Sequence, residues 1–257
     1  MSQVTNLAYF YERSRKVRGG RSVWVKDSNG ESRHNVLLGG TILNPNKGFG
    51  YLWAAQLLDY SPGRGYYIFR SFEIADSALA NATEIKIKGD GYSDAPEVGQ
   101  YLMIAPDALK VQTITTEIDD SGAAPVATTS ITETDYAGTY AKVTAVAYDA
   151  EDAEFTVTLE NALDTALSAG DILVEADAAA DLAKQSPTGS AQVLCKNPNN
   201  WVEADHELLP TEGYGIENAN YSIAGVYGKQ AWIAKMQPLP KYVLALNKSH
   251  IPGIFEV

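Results

Sequence analysis

With 257 residues, 45% of them apolar, and a formal net charge of −12, the chain has an ordinary globular composition and length enough for one large domain or two modest ones. No apolar run has the length of a bilayer-spanning helix, and the opening MSQVTNLAYFYERSRK lacks the apolar block and small-residue cleavage site of a secretory signal, so a soluble protein not exported by that route is expected. The single cysteine, Cys195, excludes an intrachain disulfide framework and a multi-cysteine zinc site, and reads as a small buried apolar residue.

Charge is sorted along the chain. Residues 1–75 hold ten Lys/Arg against five Asp/Glu, while residues 76–257 hold ten against 27, and all seven arginines lie at or before Arg70. Such a partition suits a basic contact arm on an acidic body, and identical copies could join arm to body. The arm is residues 1–35. It carries Arg13, Arg15, Lys16, Arg18 and Arg21 beside the flexible pair Gly19-Gly20, with no sustained apolar periodicity. Its aromatic residues, Tyr9, Phe10, Tyr11 and Trp24, are candidates for burial against a partner, with the basic residues setting register on an acidic surface.

Residues 36–82 mix Tyr51, Trp53, Tyr60, Tyr66, Tyr67, Phe69 and Phe72 with turn residues such as Asn44-Pro45 and Ser61-Pro62-Gly63, which fits short strands joined by turns. The segment Tyr51–Tyr60 is too continuously apolar to decide between helix and strand.

Residues 83–176 read as a small antiparallel β-barrel or sandwich module. Ile85 and Ile87 alternate with Lys86 and Lys88, and Phe155, Val157 and Leu159 alternate with threonines, as half-buried strands require. Each run is followed by a loop and a strand entered through glycine: Gly99-Gln100-Tyr101-Leu102-Met103-Ile104-Ala105, and 71 residues later Gly170-Asp171-Ile172-Leu173-Val174-Glu175-Ala176. This is a weak internal repeat of one strand–loop–strand unit. Between the copies, Tyr140–Tyr148 alternates and Asp149–Glu154 is a polar connection of hairpin length, while residues 117–139, rich in Thr, Ala, Ser and Asp, read as an exposed loop or an excursion of high variability. Residues 177–257 are a strand-and-loop region holding Tyr221–Tyr227, Gln230–Met236 and Tyr242–Leu246, with a short helical alternative only at Ala176–Lys184. Its end, with Ile254 and Phe255, is expected to dock on the body or on a neighbour.

Nothing assembles a catalytic, cofactor or metal site from the sequence. His34, His206 and His250 stand apart from one another, and no phosphate loop, dinucleotide fingerprint or nucleophile elbow occurs. The acidic groups Asp119-Asp120 and Asp149, Glu151, Asp152 lack the spacing of a calcium loop and read as solvated turns. The arm has the charge density to meet phosphates, but the acidic remainder would repel a long polyanion, so nucleic acid is disfavoured as partner.

The repeated strand text at 83–105 and 154–176, with the hairpin 140–159 between, resembles the small β-barrel modules of tailed-phage head proteins. The flanking basic arm and the aromatic, Pro-rich tail resemble the embracing segments of auxiliary or decoration capsid proteins, including those of crAss-like phages. That resemblance covers about a third of the chain and implies a non-enzymatic virion protein, assembled in the host cytoplasm, that binds the major capsid protein or other virion subunits and self-associates. It brings no catalytic residues. Two other readings stand beside it: a carbohydrate-binding β module using Tyr92, Tyr136 or Trp201 as stacking platforms, and a glycan-cleaving virion enzyme built on distant carboxylates.

Overall fold

The computed structural model describes residues 36–44, 51–52, 56–62, 64–89, 95–119, 121, 126–177, 190–202, 206–207, 220–226 and 237–247. The fold is mainly β, and every strand ladder is antiparallel. In chain order the strands begin with β1 (Val36–Thr41), β2 (Tyr51–Leu52), β3 (Leu57–Ser61), β4 (Gly65–Ile68), β5 (Ser71–Glu73), β6 (Glu84–Lys88), β7 (Tyr101–Ile104) and β8 (Lys110–Asp119). There follow β9 (Val126–Asp135), β10 (Gly138–Asp149), β11 (Glu154–Leu159), β12 (Ile172–Asp177), β13 (Ser190–Val193), β14 (Pro198–Val202), β15 (His206–Glu207), β16 (Asn220–Val226) and a helix, α1 (Lys241–Leu246).

The larger sheet runs β13-β12-β7-β10-β11-β6, with β5 paired to β12 and β13 also paired to β10. It draws β5 and β13 in from either side of residues 83–176. Its alternation is the one the sequence spells: Ile85 and Ile87 are buried between outward-facing Glu84, Lys86 and Lys88, and Phe155, Val157 and Leu159 are buried between threonines. These side chains form one core with Phe72, Ile74, Leu102, Ala141, Val143 and Leu173.

The internal repeat is a structural one. Strands β5–β6–β7 and β10–β11–β12 are its two copies, and equivalent strands lie antiparallel to each other: β6 with β11, and β7 with β12. The exchange is consistent, because β5 pairs with β12 as β10 pairs with β7. In the β7–β12 ladder, Leu102↔Glu175 and Leu173↔Ile104 swap under the 71-residue shift, and Met103↔Val174 maps onto itself. Antiparallel pairing of equivalent strands is the arrangement an approximate twofold axis requires. Hydrogen bonds repeat as well, with Val143 of β10 answering to Ile74 after β5 at a shift of 69, two residues fewer than in the strands that follow. Gly99 N donates to Val143 O at 2.8 Å and Gly170 N to Ile74 O at 2.9 Å; in return Val143 N donates to Gln100 O and Ile74 N to Asp171 O, both at 2.8 Å.

The glycine that opens the second strand of each copy has a physical reason. Gly99 and Gly170 both have φ of +93°, the left-handed value required at the third position of a type II turn. Gln100 N donates to Glu97 O at 3.2 Å, and Asp171 N to Ser168 O at 3.0 Å. The amide or acid after the glycine closes the same turn from the other side: Gln100 Oε1 accepts from Glu97 N, and Asp171 Oδ2 from Ser168 N, each at 2.8 Å. The copies diverge beyond Val143. There β10 continues to Asp149 as a hairpin with β11, with a register shift between Val143 and Ala145, whereas β5 is joined to β6 by the single bridge Ile74↔Ile87.

A five-stranded sheet, β1-β16-β14-β3-β4, forms the other main layer, and a two-stranded ladder joins β15 to β2. Ile42, Leu52, Leu58, Tyr66, Ile68 and Val202 make its core. The undecided segment Tyr51–Tyr60 therefore contributes strand, in β2 and β3, and the strand expected at Tyr221–Tyr227 is β16.

A buried polar joint fastens the two sheets. The Arg70 guanidinium, 2% exposed, donates through Nη1 to Glu175 Oε2 at 2.8 Å and through Nη2 to the Asn44 carbonyl oxygen. Asn44 Nδ2 donates to Glu175 Oε2 at 3.1 Å and to Ile68 O at 3.0 Å, while Asn44 Oδ1 accepts from Ile68 N at 2.6 Å. The last arginine of the chain is thus an internal strut.

Two readings of local structure are corrected. Tyr242–Leu246, expected as a strand, lies in α1: Pro240 stands at its N-cap in extended conformation, and Tyr242, Val243 and Asn247 are buried on one side while Leu244, Ala245 and Leu246 face out. An unbroken apolar pentad carries no period of two, and the buried positions follow helical spacing. The helix packs on the body through Tyr242, whose hydroxyl donates to Cys195 O at 3.2 Å, and through Asn247, whose Nδ2 donates to Pro198 O at 2.9 Å. Residues 117–139, expected as an exposed loop or an excursion, are an exposed excursion built of strand for most of its length, in β8, β9 and the start of β10. Thr and Ile are strand formers, and the alternation outweighed the polar composition. Of the helical alternative Ala176–Lys184, Ala176 and Asp177 belong to β12, and residues 178–184 lie outside the described residues.

Candidate functional site

The arm residues Tyr9, Phe10, Tyr11, Arg13, Arg15, Lys16, Arg18, Arg21 and Trp24, and the tail residues Ile254 and Phe255, lie outside the described residues. So do Tyr92, His34, His250 and Asp120, and of Trp201 and His206 only the backbone is described, in β14 and β15. Tyr136 is half-buried and packs against the cluster that holds Met103, Val174 and Tyr242, which leaves it poorly presented as a stacking platform. Asp149 closes the β10–β11 turn, its Oδ1 accepting from Glu151 N at 2.8 Å and Asp152 N at 3.4 Å, as expected of a solvated turn. Cys195 is buried at 2% exposure, and burial pushes its thiol well above the ordinary range, so it is a packing residue.

The most exposed built feature is the hairpin of β8 and β9. Its ten-residue strands pair along their whole length, from Lys110↔Asp135 to Asp119↔Val126, a ladder about 34 Å long at an ordinary strand rise. Among the described residues β8 and β9 pair only with each other. On one face the register stacks cross-strand pairs in order: Lys110–Asp135, Gln112–Glu133, Ile114–Ile131, Thr116–Thr129 and Ile118–Ala127. Gln112 Nε2 donates to Glu133 Oε1 at 2.7 Å, and the Thr116 and Thr129 hydroxyls meet at 3.3 Å. Set among these are apolar side chains facing water: Ile114 and Ile118 are each 66% exposed and Ile131 62%. The opposite face is a ladder of Thr113, Thr115, Thr132, Ser130 and Thr128 with Val111 and Glu117.

The base of the hairpin is tied to the body. Tyr136 N donates to Leu109 O at 2.8 Å, Lys110 bridges to Asp135 at 2.5 Å, and Lys196, after β13, reaches Asp135 at 3.3 Å and Gln192 at 2.7 Å. Hydrogen bonds from Lys110 and then Lys196 hold the Asp135 carboxyl below its ordinary value. A firm base under an exposed two-stranded blade is a geometry for presentation. A two-stranded hairpin in water is marginal by itself, and one whose apolar row lies open gains most by being covered.

Comparison with protein-family models, curated proteins and solved structures found no match. Among the described residues, no group of three or more His, Cys, Asp or Glu is placed to hold a metal ion, and no helix is long and apolar enough to cross a membrane.

The sequence reading missed Ile114, Ile118 and Ile131 because they sit in Thr-rich text. The signal was present: Ile114 and Ile118 are four apart and so share one face of a strand, and a mirrored Thr–Ser–Ile–Thr run begins at Thr129.

Proposed function

We propose that this chain is a virion structural protein of a tailed phage that binds the capsid and reinforces it, in an auxiliary or decoration role, through contacts with the major capsid protein or other subunits. The observation that carries the docking role is the β8–β9 blade, anchored at its base and offering Ile114, Ile118 and Ile131 to a partner. Protein interfaces of this kind bury apolar residues inside a polar rim, and the rim here is threonine and carboxylate. The virion setting rests on the resemblance of the repeated strand text and its flanking arm to phage head proteins. In this reading the basic arm crosses a neighbouring subunit, with Tyr9, Phe10, Tyr11 and Trp24 buried and the arginines on acidic coat surface, while Ile254 and Phe255 dock the tail.

Deleting residues 2–22 and measuring retention of the purified protein on purified capsids tests this. The expected result is binding weakened at least about tenfold and made less sensitive to salt, because the arm's cations are gone. Undiminished retention would remove the arm from the mechanism.

A further inference from the structure

We propose that the exposed face of the β8–β9 hairpin is the docking site for the N-terminal arm of a second copy of this chain. The inference rests on the packing role proposed above and names the site on the body that receives the arm.

The face and the arm match in both charge and shape of apolar content. Residues 107–135 hold six carboxylates, Asp107, Glu117, Asp119, Asp120, Glu133 and Asp135, against Lys110, with Lys196 and Lys241 paired to Asp135 and Asp107 from outside the segment, whereas residues 1–35 hold seven Lys/Arg against three Asp/Glu. The hairpin therefore sits in a negative field that draws a basic segment and repels other acidic surface, including the rest of this chain. Its apolar row is short. Ile114 and Ile131 face each other across the ladder, with Ile118 further along β8 beyond the Thr116–Thr129 pair, enough for a compact aromatic group and not for a broad sheet. The arm carries such a group, Tyr9-Phe10-Tyr11, followed within a few residues by Arg13, Arg15, Lys16 and Arg18. Laid along the face with the aromatics over the isoleucines, the arm brings its cations toward Glu133 and Asp135 at the base end of the row.

Among the described residues nothing covers the row, Ile114, Ile118 and Ile131 each remaining more than 60% exposed, so it is open to the arm of a second copy. Each copy offers one arm and one hairpin, so the contact is heterologous and continues from copy to copy, the arrangement a repeating shell can use.

Sedimentation velocity of the purified full chain over a range of concentration and salt tests the proposal. Reversible association is expected, weakening as salt rises. The paired variant Ile114→Glu/Ile131→Glu, both at exposed positions, should weaken association at least about tenfold while leaving the far-ultraviolet circular dichroism unchanged. Deleting residues 2–22 should weaken it equally, and adding that deletion to the paired variant should cause no further loss. Glu133→Lys, on the same face as the isoleucines, should also weaken it, and Arg13→Glu/Arg15→Glu in the other partner of a mixture should restore part of the loss. A chain that stays monomeric at every concentration, or association indifferent to the hairpin variants, would overturn the proposal. Should such a monomer still bind capsids through its arm, the reinforcement reading stands without this contact. If instead self-association follows the expected pattern and capsid binding is absent, the contact stands and the reinforcement reading falls.

Discussion

Replacing Arg70 with alanine is expected to destabilise the protein by about 3–5 kcal/mol, the cost of leaving a buried partner charge uncompensated. Glu175, 14% exposed at its side chain, would lose the guanidinium and keep only the Asn44 amide among the contacts described, and the Asn44 carbonyl would lose its Nη2 donor. The effect reaches beyond one ion pair, since Asn44, after β1, is bonded to Ile68 of β4 in the five-stranded layer, and Glu175 belongs to β12 of the larger sheet. Urea unfolding followed by circular dichroism measures it. A double substitution, Arg70→Met/Glu175→Leu, should recover much of the loss, because the pair then leaves no buried charge behind. A loss below about 1 kcal/mol for Arg70→Ala would mean that the joint is solvated and that the sheets are held by apolar packing alone.

The second large effect tests the duplication. Leu102 and Leu173 are equivalent positions in the two copies, both fully buried and both on the β7–β12 ladder. Leu102→Ala and Leu173→Ala should each cost about 2–5 kcal/mol, the transfer of the lost methyl groups plus the cavity left behind. Symmetry adds that the two costs should agree to within about 1 kcal/mol, the ordinary scatter among buried leucines being wider than that. Markedly unequal losses would show that the copies share a backbone register and no longer share a core.

Much of this architecture can be read from the chain because alternation and burial speak the same language. Ile85, Ile87, Phe155 and Val157 are buried where a half-buried strand puts every second residue, and the glycine-led strands at Gly99 and Gly170 sit in matching turns. What the repeat text does not contain is its pairing. Nothing in two similar runs says that they will lie against each other antiparallel, because that is decided by loop lengths and by the shared core around Leu102 and Leu173. Composition misled at the β8–β9 hairpin, where threonine suits a water-facing strand as well as a loop. It misled again at Tyr242–Leu246, where Pro238 and Pro240 set up a helix start and the apolar residues after them divide between a buried and an exposed side. The charge partition pointed to a contact in the first third of the chain, yet Arg70 turns inward, and the surface proposed to receive the arm lies on a hairpin that polar composition had hidden.

The central claim is that this chain acts by packing its arm and its β8–β9 blade against other protein subunits. Electron cryomicroscopy of the intact particle that carries the chain tests it most directly. The account predicts density for the chain on the protein shell, with the face bearing Ile114, Ile118 and Ile131 covered by a neighbouring protein segment. A chain absent from the particle, or bound with that face open to solvent on every copy, would contradict it.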